Sequence, residues 1–151
     1  MMSVLRTKPY MLTNEEGQSL QSLGAAVFIK ASSEQTGGAF NLFEVSCAPG
    51  FATPLQIHYC EDVAIYVLEG RLEFFWGSER GEAHAGSYLY QPRGVAHGFR
   101  VEGPTPARIL YATIPAGLDK FVIENGSPAR ECRAETDAAR YKIEVLGPLP
   151  E

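Results

Sequence analysis

The chain is poor in the residue types that mark disulfide-built, membrane-spanning and nucleic-acid-binding proteins. It has three cysteines, Cys47, Cys60 and Cys132, an odd number at wide spacing. That argues against a disulfide framework and against paired metal knuckles, so the three read as reduced thiols. No apolar run approaches the roughly 20 residues that cross a bilayer, and the basic-then-apolar opening of a secretory signal is missing. No membrane partner is expected, and the cytoplasm is the default location. Thirteen Lys and Arg stand against 18 Asp and Glu, a formal charge of −5, and the cations are scattered. The electrostatic footprint of a nucleic-acid partner is therefore lacking. Internal repeats, low-complexity tracts and linkers are also missing, and 151 residues at 45% hydrophobic content suit one domain spanning 1–151.

What is abundant is turn chemistry. Fifteen glycines and ten prolines are spread along the chain, as expected for many short strands joined by tight turns. Residues 1–24 contain short apolar pieces around a polar turn at 13–17 and read as an edge strand or a wrap. From Ala25 the chain carries runs rich in β-branched and aromatic side chains at 25–31, 40–47, 63–69, 72–76, 87–91, 97–101 and 107–114. The spacers are too short for crossover helices, so an antiparallel sandwich or barrel over about 25–114 is predicted. Beyond it, Leu118, Phe121 and Val122 recur at helical spacing before Asn125-Gly126, which predicts a short amphipathic helix over 117–125. A further helical turn is read around 134–141, making 117–151 a helical C-terminal extension.

Two stretches keep the spacing of a known motif pair. The first runs from Gly50 through Gln56, Ile57 and His58, then Tyr59-Cys60-Glu61-Asp62-Val63, and closes at Gly70. The second runs from Gly86 through Pro92, Gly94 and His97 to Val101. Together they resemble the two motifs of the cupin superfamily, G-x5-H-x-H-x4-E-x6-G and G-x5-P-x-G-x2-H-x3-N. Residues 36–40 and 141–148 look like those of small bacterial cupins of the quercetinase-like type. The resemblance implies an all-β fold, an antiparallel double-stranded β-helix (jelly-roll barrel).

It also implies a site. Members of the family hold a divalent metal with two His and a Glu from the first motif and one His from the second; the matching positions here are Gln56, His58, Val63 and His97. The anionic ligand is thus replaced by valine and one imidazole by an amide, a neutral and weaker set. The cofactor expectation is accordingly either none or a weakly bound divalent ion (Zn, Ni, Fe or Mn) on Gln56, His58 and His97. His58 and His97 are the candidate catalytic pair, because imidazole exchanges protons near neutrality; the third histidine, His84, has no such register. Strand alternation puts Val63, Ile65 and Val67 on one inward face and His97, Phe99 and Val101 on another. With Gln56 these residues predict a largely apolar ligand pocket suited to a small organic molecule. Glu61 and Asp62 read as solvated turn acids, the alternative being that one of them swings inward and restores an anionic ligand; Cys60 reads as a buried inert thiol, the alternative being a soft ligand or reactive thiol. Tyr66 and Leu68 face outward yet are apolar, which predicts either a covering second sheet or a homodimer. Three functions remain open: a metal-independent enzyme, a metal-dependent quercetinase-like dioxygenase, and a small-ligand binding module.

Overall fold

The computed structural model describes residues 7–22, 24–123 and 143–151. Eleven strands lie in these segments, divided between two antiparallel sheets. One has six strands: β1 (Gln18–Ser22), β2 (Ala25–Ala31), β3 (Asn41–Cys47), β10 (Ala107–Ile114), β5 (Asp62–Glu69) and β8 (Tyr88–Gln91), in that spatial order. The other has five: β11 (Ile143–Gly147), β4 (Leu55–His58), β9 (His97–Val101), β6 (Arg71–Trp76) and β7 (Glu79–His84). Two facing antiparallel sheets with strands that alternate between them make the expected jelly-roll barrel.

Side-chain alternation decides what lies between the sheets. On β5, Val63, Ile65 and Val67 are buried, whereas Ala64, Tyr66 and Leu68 point away. Leu72 and Phe74 of β6, Phe99 and Val101 of β9 and Ile109 of β10 close on them to form the main core. A second cluster, Ile29, Phe43 and Leu118, lies toward the helix α1 (Leu118–Ile123). Gly70 makes the reversal between β5 and β6 at φ +87°, and a Cβ there would stand 2.7 Å from the Ala107 backbone, so the turn needs glycine twice over.

The seven strands read from the sequence are present, as is an edge strand in the N-terminal stretch. Helix α1 falls where the 117–125 helix is predicted; the turn read at 134–141 lies outside the described residues. The end of the supposed helical extension is instead a strand. Ile143–Gly147 pairs antiparallel with β4, Ile143 opposite His58 and Val145 opposite Gln56. The β-branched Ile143 and Val145 suit this role, and the pairing satisfies the ladder groups that β4 would otherwise leave open.

Candidate functional site

The local sequence explains how the site residues converge. On β4, Gln56 and His58 are two apart and so project from the same face. Gln56 sits directly opposite His97 of β9. This register brings the two imidazoles together as a stacked pair, with ring centroids 5.1 Å apart and planes at 18°. Both histidines are buried.

The turn between β4 and β5 supplies a third group. Glu61 is buried, only 1% exposed, and its Oε2 lies 2.7 Å from His58 Nδ1. The solvated turn acid expected at this position is therefore an interior carboxylate. Its neighbour Asp62 takes the outward course, accepting hydrogen bonds from the Arg93 backbone N–H at 2.9 Å and from the guanidinium at 3.1 and 3.2 Å. The Arg93 hydrogen bonds hold the Asp62 carboxyl below the usual range. By anchoring Asp62 to the second motif, this pair fixes the turn from which Glu61 reaches inward.

These contacts set the tautomers. His58 Nδ1–H donates to Glu61, leaving Nε2 to accept from the Gln56 amide at 3.4 Å. His97 Nδ1–H donates to the Val95 carbonyl at 3.2 Å, and its buried Nε2 has no hydrogen-bond partner among the described residues. Burial, followed by the charge of His58, pushes the His97 pKa down to about 4, so this ring is neutral at physiological pH. Cys60 is buried and disulfide-bonded, which corrects the reduced-thiol expectation; Cys47 is free, and burial raises its pKa to about 12.

Beside the imidazoles lies a cavity of about 290 Å³. Val27, Phe43, Val45, Phe51, Phe99 and Tyr111 are among its walls, Leu118 and Val122 of α1 close one side, and Thr53 and Gln56 add polar groups. Of the residues proposed from sequence as pocket lining, Gln56 and Phe99 line this cavity. Val63, Ile65, Val67 and Val101 are close-packed in the main core. Gln56 is the bridge, because it both borders the cavity and contacts His58.

A resident divalent metal fits these residues poorly. Both Nε2 lone pairs have the tautomer that coordination needs. The remaining donor is a neutral amide, Val63 at 0% exposure offers none, and Glu61 is engaged on the opposite nitrogen of His58. Among the described residues, no group of three or more His, Cys, Asp and Glu side chains could hold an ion.

The Cupin domain family model matches residues 43–113. Quercetin 2,3-dioxygenase of Bacillus subtilis (strain 168) is 29% identical over 103 residues, 68% of this chain; the match spans 31% of that relative's length. Among solved structures, KdgF from Halomonas sp. aligns with a TM-score of 0.65 at 18% identity, covering 75% of this chain and 99% of that one. The polyketide cyclase RemF from Streptomyces resistomycificus gives 0.62 at 21% identity, covering 73% and 81%. These likenesses concern the fold. Among the described residues, no helix is long and apolar enough to cross a membrane.

Proposed function

Because the chain is a small cupin-superfamily protein, we propose that its barrel binds a small, largely apolar organic molecule and transforms it by proton transfer through His58 and His97, without a firmly held metal. The observation that carries this reading is the join between an apolar cavity of about 290 Å³ and a buried imidazole pair, made by Gln56. Apolar walls with a few convergent polar groups suit such a ligand better than a sugar or a phosphate.

The test compares apolar aromatic compounds with sugars and sugar phosphates, reading thermal stability and ligand retention by native mass spectrometry. At a hundredfold excess over Kd, a true ligand raises Tm by roughly 5–10 °C. Filling the cavity with Val45→Trp should abolish that shift. Response to sugar phosphates alone would overturn the apolar reading. For a ligand that is turned over, His58→Ala with His97→Ala should end turnover, and undiminished turnover would remove the imidazoles from the chemistry.

The match to a quercetin 2,3-dioxygenase favours a second reading, a metal-dependent dioxygenase with a divergent ligand set. It requires close to one metal per chain in protein purified without a metal-binding tag, lost in the same double variant. Metal content near zero leaves the first reading.

A further inference from the structure

We infer that helix α1 is the gate through which a ligand enters and leaves the apolar cavity, pivoting at Gly117 and latched shut by Asp119 on Ser33; this rests on the cavity being a ligand site. The walls of the cavity are not all held in the same way. Val27, Val45, Ile109, Tyr111, Gln56 and Phe99 belong to strands whose backbones are paired in the ladders of the two sheets. Phe51 and Thr53 are fastened as well: the Phe51 carbonyl accepts from Val101 N–H at 2.8 Å, and Thr53 N–H donates to the Phe99 carbonyl at 2.9 Å. Parting any of these walls strands several backbone groups at once. Leu118 and Val122 close one side from α1, which belongs to neither ladder.

The helix fills a gap between the sheets. Leu118 joins Ile29 and Phe43 of the six-stranded sheet in one buried cluster, and Val122 packs on that cluster together with Ile143 of the five-stranded sheet. An element seated between two sheets can move without opening either of them.

The contacts of α1 divide at Gly117, whose φ of +138° is a conformation that favours glycine. On the near side, Ala116 N–H donates to the Gly38 carbonyl at 3.1 Å and Gly117 N–H to Asn41 Oδ1 at 3.0 Å, which holds the pivot. On the far side, Asp119 is only 4% exposed and accepts from Ser33 N–H at 2.8 Å and from the Ser33 hydroxyl at 2.5 Å. Asp119 N–H adds a longer bond of 3.2 Å to Asn41 Oδ1. A rotation about Gly117 that lifts Leu118 and Val122 off the cavity breaks the Asp119 contacts and leaves both ladders whole. Water replaces the partners that Asp119 and Ser33 lose as they part, so the opening costs less than separating a strand pair. Hinged closures of this kind are worked by a few residues at the end of an element.

The test follows 2-naphthol, a fluorescent apolar probe, into the full chain by stopped-flow fluorescence, with Ser33→Ala as the unlatched variant. The latch is made whether the cavity is empty or filled and is broken during passage, so weakening it lowers the barrier in both directions. In Ser33→Ala the association and dissociation rates should rise together by about tenfold, with Kd held within about twofold. Hydrogen exchange of the unmodified protein should show α1 opening while β3, β9 and β10 stay protected. Unchanged rates in a folded Ser33→Ala, or an α1 as strongly protected as those strands, would overturn the gate and leave the cavity reading standing. Failure of 2-naphthol to bind the unmodified protein would overturn the cavity reading, and the gate with it. The exchange measurement decides the matter even if Ser33→Ala does not fold.

Discussion

Glu61 and Asp62 are adjacent acids where the turn after β4 meets β5, and the protein uses them oppositely. Arg93 draws Asp62 to the surface, and His58 Nδ1 draws Glu61 inside. Nothing local in the sequence separates two neighbouring carboxylates, so the histidines were legible from motif spacing, an inward acid was legible only as an alternative, and which of the two it would be was not. The usable signal was an acid three residues after an inward histidine. His97 carries a pH prediction. Its folded pKa of about 4 lies below the ordinary 6.5, so the unfolded chain binds the proton first as pH falls. Stability is undiminished by this ring above pH 6.5 and is lost progressively down to about pH 4, by about 3 kcal/mol at most. Urea unfolding of the protein and of His97→Leu at pH 7.5 and pH 4.5 should show the variant losing less stability over that interval. Parallel losses would mean that His97 does not titrate as described.

At the scale of elements, strands with strong apolar alternation were legible, and the rest were not for physical reasons. β7 reads Glu-Arg-Gly-Glu-Ala-His, an edge strand mostly open to solvent, with only Ala83 buried to mark it. β4 is four residues long, and β11 owes its form to a partner more than eighty residues away in sequence, which no local window contains. Helix α1 was legible by its period, but what holds it over the cavity was not. Asn41 Oδ1 accepts the N–H groups of Gly117 at 3.0 Å and Asp119 at 3.2 Å, and Asp119 in turn accepts from Ser33 N–H at 2.8 Å and its hydroxyl at 2.5 Å. Asp119 also stands in the first turn of α1, where a carboxylate complements the helix dipole. Asp119→Ala strands the Ser33 donors and should cost about 1–3 kcal/mol. Because Leu118 and Val122 close one side of the cavity, hydrogen exchange in α1 should rise selectively. Uniform loss of protection across the barrel would show that Asp119 supports the fold as a whole and does not latch the helix.

For the whole molecule, the outer face of the six-stranded sheet bears on assembly. Tyr66, Tyr88 and Tyr90 are 44%, 63% and 54% exposed. Tyr66 lies directly opposite Tyr88, and Tyr90 opposite Ala64, so the three rings gather where β5 meets the edge strand β8. Aromatic rings gathered on an exposed sheet face favour association over isolation in water, and an edge strand favours it further. We propose that a second copy of the chain covers this face, giving a homodimer. Light scattering should then report the mass of two chains, with Tm rising as protein concentration rises. Tyr88→Glu with Tyr90→Glu should yield a folded single chain, because both side chains point to solvent and contribute little to the core. A single chain in the unmodified protein at high concentration would sink the proposal, and the tyrosines would then be a solvated face of the sheet.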